Sequence, residues 1–536
     1  MKLPIACLLV ASLSGLTYLQ GQVPASTTSI SIRTISADYQ TVKGPKSEVY
    51  RYCVGAGRVA EGLRAEWQDQ LRTCQEKIGF EYLRCHGVFS DDLGVYSEDV
   101  KGNPVYNWQY VDMVYDFLLS IHVRPFVEIS FMPDALASKR VPIFWWKGNA
   151  ALPKSWDKWD ALVTAVTRHW TDRYGADEVK QWYFEIWNEP DGHYFFTPVN
   201  EATRESEYFN LYNHTAKAVK SVNAAYRVGG PAGSGSAWVK DLIPYCVGQN
   251  VPLDFITYHI YGLGGGPGGL DNTGQVKLYL DTDLEKPAHG AHREDANIAQ
   301  SALPHLPVHI TEWSSAYSSY DPIHDSYFQA PYILEQLKHT ETLSSMSYWT
   351  FTDIFEEAGP QKKPFRGGFG LINLQGIKKP AFFAYQFLNE LGPEELKNAD
   401  EKAWVCRDSK GGVQALFWDL TDPRPNLQIS DQDIFGNILV PSPKPPVKLH
   451  LTSLPPGPYH LAIHRIGYKE NDAYSAYLKM GTPSQLTPSQ VGQLKDTAAG
   501  KPAEERDVTV APSGTWESEF SMRDNEVVFV KLTPQK

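Results

Sequence analysis

Cysteine is scarce in this chain. There are six in 536 residues, and Cys7 falls within the N-terminal apolar stretch, leaving Cys53, Cys74, Cys85, Cys246 and Cys406. An odd and dispersed set is no disulfide framework, and no CxxC pair suggests zinc. A basic run is missing as well: the formal net charge is −12, with 50 Lys+Arg interspersed among 62 Asp+Glu. That balance argues against nucleic acid or an anionic membrane as partner. Beyond Gly21 no segment is long and apolar enough to span a bilayer. No internal repeat is found. The Gly262–Gly269 stretch lacks the Gly-Lys-Ser/Thr ending of a phosphate-binding loop and reads as a flexible rim loop. His305 and His309 have the spacing of helical metal ligands, but their segment reads as a strand and no His-Glu-x-x-His occurs. A Gly-x-Ser-x-Gly elbow is also absent. No metal, no cofactor and no serine nucleophile is expected.

The N-terminus has Lys2, an apolar stretch from Ile5 to Leu16, and small or polar residues from Gly21. This is the composition of an export signal, so residues 1–21 are expected to be removed and the protein to be secreted or periplasmic. Cys7 opens the apolar stretch rather than following it, which argues against a lipid anchor there. The length exceeds one ordinary core, so a barrel plus one further domain is the natural expectation. The 12% aromatic content, with 15 Trp and 29 Tyr, is high. Such rings stack on sugar faces, but most must simply build large cores.

Strand and helix patterns alternate from Tyr52 to Leu388. Apolar runs at Tyr52–Val54, Tyr82–Cys85, Val123–Ile129, Trp182–Trp187, Arg227–Gly230, Phe255–His259, Val308–Thr311 and Ser347–Phe351 make eight strands. Between them, Trp67, Leu71, Cys74 and Ile78 recur at helical spacing before Gly79, and Trp159, Leu162, Val163, Val166 and Trp170 before Gly175. Eight such units predict an α/β fold, a (β/α)₈ TIM barrel over residues 46–390, with reactive groups at the C-terminal strand ends. After it the texture changes. Pro-rich punctuation at 441–446 and 455–458 separates alternating runs at Val413–Trp418, His460–Ile466 and Val527–Leu532, which predicts an accessory C-terminal β-sandwich over residues 391–536. The segment Thr28–Ser36 alternates too, so residues 22–45 are expected to pack a strand on that sandwich.

Two strings carry the chemistry: Trp182-Tyr183-Phe184-Glu185-Ile186-Trp187-Asn188-Glu189-Pro190 and Val308-His309-Ile310-Thr311-Glu312-Trp313. Each sets a glutamate just past an apolar run, on the fourth and seventh strands. Two carboxyls aimed across one sugar ring, one donating a proton and one attacking, are what a retaining glycosidase needs.

Further strings join these two: Phe80-Glu81-Tyr82-Leu83-Arg84-Cys85-His86-Gly87, Arg124-Pro125-Phe126-Val127-Glu128 with Phe131-Met132-Pro133, Tyr348-Trp349 with Asp353-Ile354-Phe355-Glu356-Glu357, Gly367-Gly368-Phe369-Gly370-Leu371, and Asn471-Asp472-Ala473-Tyr474. The ordered set resembles glycoside hydrolase family 39, in its bacterial β-xylosidase branch. The resemblance implies Glu189 as general acid/base and Glu312 as nucleophile, with Asn188 beside the acid to meet the sugar 2-hydroxyl. It implies His259, Tyr261, Trp349, Glu356 and Glu357 as sugar-pocket residues, the acids accepting from hydroxyl donors. Arg84 is a strand-end cation that could hold Glu312 charged, and His86, two residues on, points the same way.

Blander readings stand beside these. A buried strand-end Glu is more often an ion-pair partner, which suits Glu128 and Glu185 paired with Arg84. A strand-end His is often just a satisfied polar residue, and a Trp there may only close the core. The sequence also departs from the family pattern at Asp191-Gly192-His193 and at Arg366. These departures bear on the sugar rather than the mechanism, and an added arginine makes a uronic acid the interesting case. The expectation is an exo-acting β-D-xylosidase releasing xylose from xylo-oligosaccharides. The alternatives are the same mechanism on an arabinopyranoside, galactoside, glucoside or uronic acid, and a non-catalytic carbohydrate-binding barrel.

Overall fold

The computed structural model describes residues 32–535. The export signal expected at residues 1–21 and the start of the Thr28–Ser36 segment lie outside the described residues. Two strands come first, β1 (Arg33–Asp38) and β2 (Val42–Pro45). Eight then follow: β3 (Cys53–Arg58), β4 (Tyr82–His86), β5 (Arg124–Ile129), β6 (Tyr183–Ile186), β7 (Arg227–Ser234), β8 (Phe255–Tyr261), β9 (Val308–Ser314) and β10 (Ser345–Tyr348). Each pairs in parallel with the next, and β10 pairs with β3, closing the barrel. The eighth strand stops at Tyr348, short of the expected Phe351, so Trp349 stands just past the ladder.

Alternation explains what fills the barrel. Cys53, Tyr82, Phe126, Tyr183 and Phe255 pack together as an aromatic floor. Two residues further along β4, β5 and β6, Arg84, Glu128 and Glu185 share the same inward face, while Leu83, Val127 and Phe184 join the core outside. The helices obey the spacing read from sequence. In α1 (Ala65–Lys77) Trp67, Leu71 and Cys74 are buried, and in α2 (Trp156–Tyr174) Trp159, Leu162, Val163, Val166 and Trp170. Ser155 caps the start of α2 by accepting from Lys158 N, and Gly175 ends it at φ +88°, a backbone that favours glycine.

Apart from two short hairpins within the barrel loops, Tyr96–Glu98 with Pro104–Tyr106 and Pro142–Ile143 with Gly148–Asn149, the strands that follow are β11 (Glu394–Leu396), β12 (Ala403–Arg407), β13 (Val413–Trp418), β14 (Pro443–Thr452), β15 (Gly457–Ile466), β16 (Glu504–Val510), β17 (Trp516–Arg523) and β18 (Val527–Pro534). They form a three-stranded sheet ordered β1-β14-β17 and a seven-stranded sheet ordered β2-β11-β12-β13-β18-β15-β16. Ile35, Leu449 and Phe520 of the first pack on Val405, Phe417 and Val530 of the second. The Pro-rich segment read as punctuation opens β14, and the register slips between Lys444 and Val447, where Pro445 and Pro446 offer no amide donor. Trp404, Trp418 and Phe529 belong to the same apolar core as the barrel, and the Phe387 and Phe529 rings stack at 5.0 Å. All five cysteines of the body are buried and free. Among the described residues no helix is long and apolar enough to cross a membrane.

Candidate active site

A cavity of about 260 Å³ opens at the C-terminal ends of the barrel strands, lined by His86, Asn188, Glu189, Phe195, Ser234, Tyr261, Glu312, Tyr317, Trp349 and Glu357. This is smaller than a typical drug-sized pocket and suits one sugar ring. A larger groove, about 370 Å³, lies on the outer face of the barrel between α2 and the helix Arg204–Val222, around Asp160, His214 and Lys217. It holds no pair of facing carboxyls, so size alone misplaces the chemistry.

Local backbone irregularities aim the two glutamates. Between β8 and β9 the register slips so that Tyr258 faces Ile310 and His259 faces Glu312. This bulge puts both Thr311 and Glu312 inward: Thr311 Oγ1 donates to Glu185 Oε1 at 2.8 Å, while Arg84 Nη1 and Tyr261 Oη donate to the two oxygens of Glu312 at 2.7 and 2.8 Å. Trp313 then faces outward, its indole N–H on Met346 O. Glu189 and Trp187 both adopt left-handed backbone, φ +40° and +71°. Glu189 N is held by Ala232 O at 3.0 Å, and the Trp187 indole by Phe195 O at 2.7 Å. Such strain persists where surrounding contacts over-determine it.

His259 Nδ1 lies 2.8 Å from Glu189 Oε1 and 3.4 Å from Glu312 Oε2. One carboxylate oxygen from each glutamate and a ring nitrogen of His259 all fall within 4.8 Å of one another. Three such atoms are also a possible metal-ligand set, but the Glu312 oxygens already accept from Arg84 and Tyr261. Burial, with the nearby Asp191 charge, pushes the Glu189 carboxyl up to about 7. Burial lowers His259 to about 4, so its imidazole is neutral. Burial also opposes charge on His86, but Glu128 at 2.7 Å and Glu357 outweigh it and raise His86 to about 10. Glu357 is raised by burial, an effect that the His86 cation 3.3 Å away opposes.

Most of the residues expected from sequence converge here. Asn188 Oδ1 accepts from Arg84 Nη2 at 2.9 Å, which turns its amide donors toward the cavity. Trp349 packs 4.8 Å from His86 and lies over the Arg84 guanidinium. Four expectations need correction. Arg84 and His259 are fully buried and reach the cavity only through lining residues, Arg84 through Glu312, Asn188 and Trp349, His259 through Glu189 and Glu312. Glu356 does not line it: Arg58 and Arg64 bind both its oxygens at 2.8–3.0 Å and fasten its loop to the barrel. Arg366 stacks 4.7 Å over Tyr320 and is not among the lining residues. Glu128 and Glu185 do pair with Arg84. Phe195, Ser234 and Tyr317 were missed, because the loop residues Phe195 and Tyr317 carry no periodic signal and Ser234 ends β7 beyond the run readable at Arg227–Gly230.

The chain is similar to known proteins along most of its length. The model of the glycosyl hydrolases family 39 matches residues 34–517. A β-xylosidase of Geobacillus stearothermophilus is 42% identical over 384 residues, 69% of this chain and 74% of that one. The crystal structure of the family 39 enzyme from Xanthomonas axonopodis pv. citri superposes with a TM-score of 0.90 at 38% identity, covering 96% of this chain and all of that one. A monomeric β-xylosidase from Caulobacter crescentus CB15 gives 0.89 at 38% identity, covering 94% and 100%. On the strength of its sequence, its barrel and these likenesses, the chain belongs to glycosyl hydrolase family 39.

Proposed function

We propose that the protein is a retaining, exo-acting β-D-xylosidase, with Glu312 as nucleophile and Glu189 as general acid/base. The observation that carries this is the short separation of the two carboxyls, bridged by His259 Nδ1 with oxygens within 4.8 Å. Retention requires carboxyls about 5 Å apart, too close for an intervening water. Glu312 attacks the anomeric carbon while Glu189, protonated near neutrality, gives its proton to the departing oxygen. The glycosyl ester is then hydrolysed by water that Glu189 deprotonates. The Asn188 amide is placed to donate to the 2-hydroxyl, a contact that tightens as the ring flattens.

The cavity lining holds three carboxyls, Glu189, Glu312 and Glu357, against one cation, His86. Hydroxyl donors suit that set, whereas the carboxylate of a uronic acid does not, and Arg366 is not there to meet it. The xylosidase relatives favour a pentose. Export of the mature chain is part of this reading and rests on the Lys2 and Ile5–Leu16 pattern.

The test compares kcat/KM for aryl β-D-xyloside, α-L-arabinopyranoside, galactoside, glucoside and glucuronide. The xyloside is expected to exceed the glucoside by at least roughly tenfold, and a preference for any of the other four would refute the sugar assignment. Glu312→Gln should abolish turnover with the fold intact. Glu189→Ala should keep glycosylation from an activated aryl xyloside and, with azide, release a β-xylosyl azide. An α-azide would show inversion instead.

A further inference from the structure

Away from the reacting carboxyls, two other acids meet in the protein interior. Asp321 follows β9 in the loop that carries Tyr317, and Asp431 begins the short helix Asp431–Phe435 of the C-terminal part. Both are fully buried, and the two carboxyls are in hydrogen-bonding reach of each other. Asp321 Oδ1 accepts from Ile323 N at 3.1 Å and Asp431 Oδ1 from Leu280 N at 2.9 Å, while no other group supplies a donor to either Oδ2. Two ionised carboxylates cannot sit so without repulsion, whereas one proton between them makes a strong bond.

The contacts of this pair lead to the cavity. Leu280 bridges Leu263, two residues beyond the Tyr261 that donates to Glu312. The same rim segment is tied to the short helix by Asp431 N on Leu278 O and Leu278 N on Gln432 Oε1. Arg424 adds a bond to Leu280 O at 2.6 Å. Gly367 lies against the Asp321 backbone so closely that a β-carbon there would clash at 2.3 Å.

We propose that Asp321 and Asp431 form a carboxyl–carboxylate latch, sharing one proton, which positions the loops bearing Tyr261 and Tyr317 against the sugar cavity. The idea rests on the catalytic reading above for its kinetic consequence, but the latch itself can be tested without it. These are positioning residues, since neither lines the cavity. Other ionisable groups facing the pair are Asp422 and Arg424 ahead of the short helix, Tyr332 of the helix Gln329–Lys338, Asp325 with its partner Lys379, and Tyr474. Arg424 is already bound to Asp422 at 2.7 Å and Lys379 to Asp325 at 2.6 Å, so neither neutralises the pair. Burial followed by mutual repulsion lifts Asp321 well above the usual carboxylate range, and burial lifts Asp431 to about 6. Both folded values lie above the unfolded one, so the stability they carry is greatest at low pH and declines as pH rises above the unfolded carboxyl range; the first proton leaves near 6, which leaves one shared, and the latch itself is lost only in the alkaline range, when that last proton leaves.

The experiment compares wild type with Asp321→Asn, whose amide can donate to Asp431 at every pH. Two readouts are followed from about pH 6 upward: KM for an aryl xyloside, and amide exchange of residues 278–281 corrected for the intrinsic rate. Wild type is expected to show a severalfold rise in KM and faster exchange at alkaline pH, and the variant to show neither. Asp431→Asn, which keeps the oxygen that holds Leu280 N, should behave likewise and serves if the first variant does not fold. Identical alkaline behaviour in wild type and a folded variant would overturn the latch. Altered exchange with no change in KM would keep the latch and refute its bearing on the cavity, and an inactive wild type with latch-dependent exchange would refute only the catalytic reading.

Discussion

At the scale of single residues the site works by separating the behaviour of two chemically identical side chains. Glu189 has desolvation and the neighbouring Asp191 holding its proton, while Glu312 has a guanidinium and a phenol as donors. In the proposed mechanism Glu189 must be protonated to start the reaction, so activity should fall as pH rises through about 7. Asp191→Asn removes the like charge and is expected to move this basic limb to lower pH, readable in kcat/KM against pH. A limb that stays in place would show that burial alone sets it. Residue types and their neighbours made the convergence of Glu189, Glu312, Asn188, His86 and Trp349 on one cavity legible in the sequence, because an Asn-Glu at one strand end and a Thr-Glu at another belong at the same end of a barrel. The fate of Glu356 was not legible. Adjacent acids on one loop look alike in sequence, and only the positions of Arg58 and Arg64 decide that one binds arginines while Glu357 faces the cavity.

The elements that hold these residues are short strands with irregular ends. Period-two alternation, broken by slips at Pro231/Gly233 and at Thr311, sets the direction of each side chain. A sequence shows the alternation but not the slip, so the strands were readable and the re-aiming of Glu312 was not. The same ends are packed tightly. A β-carbon on Gly55 of β3 would stand 2.3 Å from the Trp349 ring. Gly55→Ala is therefore expected to cost about 1–3 kcal/mol by overpacking and, by pushing Trp349 into the cavity, to raise KM for the xyloside more than it lowers kcat. Thermal unfolding and steady-state kinetics on the same preparation check both parts. Unchanged values would mean that Trp349 has somewhere else to go.

For the molecule as a whole, the barrel and sandwich share one apolar interior through Trp404, Trp418 and Phe529. Trp418 gives its indole N–H to Glu335 of a barrel helix at 2.6 Å, and Lys338 of the same helix lies over Trp404. Truncation after Leu388 should expose that surface and yield insoluble protein, which a solubility assay and size-exclusion chromatography would detect. A soluble, active barrel would show that the interface is dispensable. The two-part architecture was readable from the change in texture after Leu388, but the strand partners were not, since pairing across hundreds of residues leaves no local mark. That long range has a consequence for how the chain acquires its shape. β1 pairs with β14 through Arg33 and Val447, and β2 with β11, so these two strands, synthesised ahead of the barrel, lie beside strands made after all of it. During vectorial synthesis they have no partner, and their unpaired edges must wait until the last third of the chain emerges. The barrel can close first from neighbouring units, whereas the sandwich pays the entropy of the largest loop in the molecule and should be the late, rate-limiting event in folding.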